Sequence, residues 1–216
     1  MAYVVTDTGA SRSFPASHPF IQGSSLQGEI AVLIGEGAGA AFAALRDADR
    51  YEAVLIELGT ECLGVHTGER AGGEGGNVLG FARYRLGESP PTNLVELVKQ
   101  PGTRAGSLDA AKGLLEAAGF VVSVCNDFPG RILDRLLRPY FNAVLRRLDE
   151  KLATAEDLDT TLRLGLGYPE GPVSLLERTG LAAHHDVTRA LYESLADSAF
   201  APARRAIVAK AREGKP

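Results

Sequence analysis

The residue types that could do chemistry fall in three places along this 216-residue sequence. First, an apolar run, Ile30-Ala-Val-Leu-Ile34, leads into Gly35-Glu-Gly37-Ala-Gly39-Ala40 and a stretch of helical composition. Gly35-x-Gly37-x-x-Ala40 fits the permissive form of the turn whose backbone N–H groups cradle a pyrophosphate at a helix N-terminus. Glu57 closes a later apolar run, where an acidic group would meet a ribose hydroxyl. The same glycines also suit a turn that only shapes the fold, and Glu36 would bring a negative side chain to a phosphate. NAD binding through Gly35, Gly37, Ala40 and Glu57 and a purely structural turn therefore both stand.

Second, Glu96 lies in Leu94-Val-Glu-Leu-Val98, an otherwise apolar strand on which a carboxylate needs a partner. Third, His66 in Cys62-Leu-Gly-Val-His66 follows the strand that ends near Glu57. Sites collect at the carboxyl ends of strands in α/β sheets, so His66 is a candidate base, the alternative being a surface-loop histidine. His184 and His185 are adjacent on a helical stretch and face different ways, which argues against a shared metal, and His18 falls in a loop. The sequence has no triad, P-loop or metal-ligand spacing, and no metal is expected.

Composition narrows the class. With 45% hydrophobic and 23% charged residues and a net charge of -4, the chain offers no basic footprint for nucleic acid. Cys62 and Cys125 stand alone, without CxxC spacing, so a reduced, cytoplasmic setting is expected. No cationic leader opens the chain and no apolar run approaches the ~18 residues of a membrane span, so neither export nor membrane insertion is expected.

The elements that must position these residues change period near the middle. Up to about Cys125 the apolar residues form short runs, at Tyr3-Val-Val5, Ile30 to Ile34, Ala53 to Ile56, Leu94 to Val98 and Phe120 to Val124. Helical segments at Ala38 to Asp47 and Ser107 to Ala118 alternate with them, which predicts a largely parallel α/β sheet. Thr67 to Asn77, with Gly72-Gly-Glu-Gly-Gly76, reads as a flexible loop. After Pro129, Leu133, Leu136, Leu137, Phe141, Val144, Leu145, Leu148 and Leu152 predict one long helix, kinked or broken near Arg135 to Arg138 by Pro139. Thr154 should cap a helix running through Leu162, and Gly165 to Gly171 should form a loop. Pro172 should open a short helix that Gly180 ends, with further helices at Leu181 to Leu195 and Pro202 to Arg212.

Four successive segments then carry a resemblance: Asp127-Phe-Pro-Gly-Arg-Ile-Leu-Asp-Arg135, Leu136-Leu-Arg-Pro-Tyr-Phe-Asn-Ala143, Leu152-Ala-Thr-Ala-Glu-Asp-Leu-Asp159 and Gly165-Leu-Gly-Tyr-Pro-Glu-Gly-Pro172. In order and spacing they resemble the helical domain of the 3-hydroxyacyl-CoA dehydrogenase family. Leu79-Gly-Phe-Ala-Arg83 and Asn93 to Val98 are similar to the end of its cofactor domain, and Asp47-Ala-Asp49 with Val54 to Glu57 to one of its middle strands. The resemblance implies an α/β plus all-α protein. A truncated Rossmann-like parallel sheet domain (residues 1–125) would precede a helical bundle of the 6-phosphogluconate-dehydrogenase C-terminal type (residues 126–216). It further implies NAD-linked oxidation of a 3-hydroxyacyl-CoA, acyl-CoA recognition and a homodimer built on the helical half.

Departures from the family accompany the match. The family's base is a His that a neighbouring Glu orients; the Glu corresponds to Glu96, but the family's Gly-x-His reads Gly80-Phe81-Ala82 here. The family's substrate-contacting Asn corresponds to Asp134. Asp134 has a second explanation as an ion-paired surface patch with Arg131 and Arg138 on one helical face. The sheet half is also shorter than the family's. A dehydrogenase with a rebuilt base, drawing on Glu96, His66 and Asp134, and a non-catalytic relative that keeps acyl-CoA binding or docking are the two functions in view.

Overall fold

The structure, a computed structural model, describes residues 2–70 and 72–214. Ala71, within the expected glycine-rich loop, lies outside the described residues. The chain divides into two compact units, Met1–Arg85 with Pro90–Ile132, and Leu86–Ser89 with Leu133–Pro216.

The first unit is built on β1 (Tyr3–Asp7), β2 (Ile30–Ile34), β3 (Ala53–Glu57), β4 (Gly75–Gly76), β5 (Val78–Arg83), β6 (Leu94–Lys99), β7 (Gly102–Thr103) and β8 (Val121–Asn126). Its helices are α1 (Pro19–Gln22), α2 (Ala38–Ala44), α3 (Gly64–Thr67) and α4 (Ala105–Ala117). Six strands form one sheet in the order β1-β2-β3-β5-β6-β8, parallel throughout except where β5 meets β6. Every residue of β2 and β3 is buried, as a strand covered on both faces requires. Alternation sends Ile30, Val32 and Ile34 to one layer with Ala111, Leu114 and Leu115 of α4, and Ala31 and Leu33 to the other with Ala38 of α2.

The strand order never reverses along the sequence. Dinucleotide crevices of doubly wound sheets open at a reversal of strand order, and this sheet contains none. Gly75 and Gly76, expected in a loop, pair with Gly102 and Thr103 instead. A Cβ on Gly75 would lie 2.1 Å from the Gly102 carbonyl carbon, so only glycine permits that approach.

The second unit holds α5 (Leu133–Asp149), α6 (Ala155–Leu166), α7 (Pro172–Thr179), α8 (Leu181–Leu195) and α9 (Arg204–Arg212). Of the kink or break expected near Arg135 to Arg138, the break is absent: α5 runs through Pro139 without interruption. Proline removes one hydrogen bond, and the packing of Phe141 and Leu145 against Leu176 and Ala203 outweighs it. The buried stripe keeps Phe141, Val144 and Leu145 of the expected apolar one but adds Asp134, Arg138 and Asn142, while Leu136 and Leu152 are 66% and 68% exposed. Thr154 caps α6 as expected, accepting the Asp157 N–H at 3.1 Å, but the helix continues past Leu162 to Leu166, taking in Gly165. Asp159 then caps α7, accepting from the N–H groups of Val173 (2.8 Å) and Ser174 (2.9 Å) and from the Ser174 hydroxyl (2.6 Å).

Candidate functional site

Glu96 sits in the middle of β6, 3% exposed, facing Ala82 on β5 and Ser123 on β8 in the strand register. Beyond β8 the chain turns back over this row. Asp127 anchors the turn by accepting the N–H groups of Leu63 (2.6 Å) and Gly64 (2.8 Å), and Gly130 donates to the Thr60 carbonyl at 2.9 Å. Gly130 and Arg131 both take left-handed backbone angles, φ 76° and 51°, which ends the extended chain before α5 begins.

The consequence is an ion pair that sequence spacing did not suggest. Arg131 Nε donates to Glu96 Oε2 at 3.2 Å, and the Ile132 N–H donates to Oε1 at 2.8 Å. Arg131 is therefore outside α5 and takes no part in the expected patch with Asp134. Its side chain is buried, and its Nη1 makes no hydrogen bond. The nearby Cys125 thiol is pushed up to about 11, first by burial and then by Glu96, so it stays protonated at neutral pH.

Asp134 belongs to a different network, in the helical unit. It accepts Arg138 Nε at 2.7 Å, and because Arg138 is 1% exposed this pair is an interior one, not the surface patch that spacing predicted. Arg138 Nη1 lies 3.1 Å from His184 Nδ1, His184 Nε2 lies 3.0 Å from Asn142 Oδ1, and Asn142 Nδ2 donates to the Ala199 carbonyl at 3.1 Å. Since the guanidinium can only donate, the chain of bonds assigns the proton of a neutral His184 to Nε2. Burial, then the Arg138 charge, lowers the His184 pKa to about 3. His185 points elsewhere, with Nδ1 3.1 Å from Asp186 Oδ1. The signal for this network was the i, i+4 row Asp134, Arg138, Asn142, which an apolar reading of the helix passes over.

Three candidates do meet at the carboxyl ends of β2 and β3. Gly35, Glu57 and His66 line a cavity of about 390 Å³ whose other charged residues are Arg12, Glu36 and Glu61. His66, on α3, places Nε2 3.4 Å from Glu61 Oε1. Glu57 is already engaged: it accepts the N–H groups of Gly35 (2.7 Å) and Ser13 (2.7 Å) and the Ser11 hydroxyl (2.8 and 2.9 Å).

The first glycine of the turn thus gives its N–H to a carboxylate of the same unit. Gly37 packs on Thr8, and a Cβ on Gly39 would meet the His66 ring at 2.3 Å. Ala40 is exposed on α2, a helix of seven residues. The Gly35 N–H is thus occupied within the unit, and Gly37 and Gly39 have close neighbours there as well. Glu96 and Asp134 are not among the residues lining this cavity. Among the described residues, no group of three or more His, Cys, Asp or Glu could hold a metal ion, and no helix is long and apolar enough to cross a membrane.

With these sites defined, residues 130–215 match the family described as 3-hydroxyacyl-CoA dehydrogenase, C-terminal domain. The 3-hydroxybutyryl-CoA dehydrogenase of Bradyrhizobium diazoefficiens is 34% identical over 113 residues, which covers 52% of this chain and 39% of that protein. The human mitochondrial hydroxyacyl-coenzyme A dehydrogenase is 33% identical over 129 residues, covering 58% and 41%. The chain thus spans only part of the length of the curated relatives it matches. Among solved structures, the (S)-3-hydroxybutyryl-CoA dehydrogenase of Ralstonia eutropha superposes with a TM-score of 0.70 at 22% identity, covering 86% of this chain and 66% of that one. The 3-hydroxybutyryl-CoA dehydrogenase of Escherichia coli K12 gives 0.69 at 24%, covering 83% and 39%. These likenesses establish a Rossmann-like sheet domain followed by a helical domain. Residues 130–215 thus carry the C-terminal domain of the 3-hydroxyacyl-CoA dehydrogenase family, and the chain is similar in sequence to part of the dehydrogenases of that name.

Proposed function

We propose that this chain is a non-catalytic member of that family, retaining acyl-CoA recognition and self-association but not the NAD-linked oxidation of a 3-hydroxyacyl-CoA. One observation carries the reading: opposite Glu96, where the family's base would stand, is the methyl group of Ala82, and the Glu96 carboxylate is held by Arg131 and the Ile132 N–H. General-base help contributes ~10²–10⁴-fold to such steps. A guanidinium cannot accept the hydroxyl proton, and a carboxylate paired with it is a poor substitute base. The unreversed strand order and the Gly35 N–H already bound to Glu57 support loss of dinucleotide binding as well.

An absorbance assay for NADH with 3-hydroxybutyryl-CoA tests this. At high protein concentration no turnover above background is expected, and measurable NADH formation would overturn the proposal. A second reading, a working dehydrogenase with a rebuilt base, draws on the His66 and Glu61 pair at the strand ends. It requires NADH formation that His66→Ala abolishes. Self-association through the helical domain is supported by exposed Leu136, Leu152, Leu164 and Leu166, and light scattering at micromolar concentration should give a dimer.

A further inference from the structure

We infer that a second cavity in the sheet unit, of about 350 Å³, is a binding site for a phosphate monoester held between Arg12 and Arg85. The inference does not depend on acyl-CoA recognition. Arg12 and Arg85 are the charged residues of this cavity, Phe14 and Pro15 give it an apolar side, and among the described residues no Asp or Glu lines it. The cavity beside it shares Ala10 and Arg12 but carries Glu36, Glu57 and Glu61. Arg12 therefore stands at a boundary, with carboxylates on one side and only cations on the other. An oxyanion is repelled from the first cavity and drawn to the second.

A third guanidinium adds to that field. Arg83 is buried, and its side-chain hydrogen bonds all go to carbonyls, those of Ser13 (3.0 Å), Thr92 (3.0 Å) and Pro91 (3.4 Å). Its other neighbours are rings: the guanidinium carbon lies 5.3 Å from the centroid of Phe14 and 5.1 Å from that of Phe120. Burial lowers its pKa, and among the described residues no carboxylate pairs with it. A buried cation whose charge no anion balances is costly, and the Phe14 ring it touches is the one that lines the cavity. An anion seated there supplies the missing counter-charge.

The loop that presents Arg12 is fixed on both sides of it. The Ser11 hydroxyl donates to Glu57 and accepts the Phe14 N–H at 2.9 Å. The Ser13 N–H donates to Glu57 at 2.7 Å, and the Ser13 hydroxyl accepts the Arg83 N–H at 3.1 Å. Binding therefore has little backbone left to order. The count of charges then selects the anion. Three guanidiniums exceed what one carboxylate balances, whereas a phosphate monoester brings about −1.5 to −2 charges at neutral pH and three acceptor oxygens. Those oxygens suffice to engage both lining guanidiniums. Free phosphate and an organic ester share this chemistry, and Phe14 and Pro15 offer the ester a further contact.

Calorimetric titration of the full chain with phenyl phosphate, inorganic phosphate and benzoate at neutral pH tests the inference. Phenyl phosphate should bind about 10-fold more tightly than benzoate, or better. Arg12→Gln and Arg85→Gln should each weaken phenyl phosphate by about 10-fold or more, the size of one charge-assisted hydrogen bond. Far-ultraviolet ellipticity shows whether each variant is folded, and because Arg12 is exposed its variant keeps the test decisive if Arg85→Gln unfolds. Inorganic phosphate binding as tightly as phenyl phosphate would assign the site to the free ion, and weaker binding would assign it to an ester. Benzoate binding as tightly as phenyl phosphate, an affinity unchanged in the folded variants, or no heat from either phosphate at millimolar concentration would overturn the inference.

Discussion

Acidification should be felt in the helical unit at one residue above others. His184 is fixed as a neutral imidazole between the Arg138 guanidinium and the Asn142 side chain, and its pKa falls from 6.5 to about 3. In the unfolded chain it would take up a proton as soon as the pH drops below 6.5, whereas the folded chain refuses that proton until about 3. The stability this imidazole contributes is therefore complete above 6.5 and drains away as the pH falls towards 3, at ~1.4 kcal/mol per pH unit.

Between about pH 7 and about pH 4 the linkage relation gives a loss of about 3 kcal/mol from this residue alone, a large share of a domain's usual stability. Urea unfolding followed by far-ultraviolet ellipticity, compared between the natural chain and His184→Gln, isolates it from the carboxylates that also titrate. Glutamine can accept from Arg138 and donate to Asn142 but cannot take up a proton in this range, so the variant should lose about 3 kcal/mol less over the same interval. If the two chains show parallel pH profiles, or if the imidazole titrates near 6.5 by proton NMR, the reasoning fails.

Other substitutions test the local physics. Asp159→Ala, which leaves the three donors at the start of α7 without their acceptor, should cost about 2 kcal/mol in denaturant unfolding, and Asp159→Asn less. Thr154→Ala removes the cap of α6 and should cost about 1 kcal/mol. Gly87→Ala would set a Cβ 1.8 Å from the Thr179 carbonyl oxygen at a φ of 53°, so thermal unfolding should begin several degrees lower; an unchanged melting curve would show that this approach can relax.

How much of this could be seen in the sequence depended on the range of the interaction. The runs at β2 and β3 are continuous apolar segments, legible because burial on both faces leaves no polar residue to interrupt them, whereas β6 and β8 stood out as apolar runs despite Glu96 and Ser123. β5 was visible only through its likeness to a family segment, since Gly80 splits the run; a Cβ there would lie 2.4 Å from Leu58, a reason no local pattern contains. The need of Glu96 for a partner was plain from its neighbours, but its identity was not. Arg131 reaches it only because Gly130 and Arg131 turn left-handed, and the same turn removes Arg131 from the helix on which spacing had placed it. The Glu57 to Gly35 bond likewise joins two strand ends whose proximity is a property of the sheet. In α5, periodicity located the helix and Phe141, Val144 and Leu145 on its buried face, but hydrophobicity missed the polar part of that face, where Asp134, Arg138 and Asn142 satisfy one another's polarity through His184.

The unreversed strand order also bears on how the sheet unit is assembled. In a doubly wound sheet the first strand lies in the interior, and later strands must be added on both sides of it. From β1 to β8 the main sheet here only ever extends at one edge, because each strand pairs with the one before it in the sheet. No strand has to be inserted between two already joined, so a nascent chain can lay down the sheet in the order in which it is synthesised. The latest steps in that order add β8 and then the turn that carries Arg131 back onto Glu96. Arg131 follows in sequence both strands that flank the one bearing the carboxylate, so the partner of Glu96 is the last part of this arrangement to be synthesised.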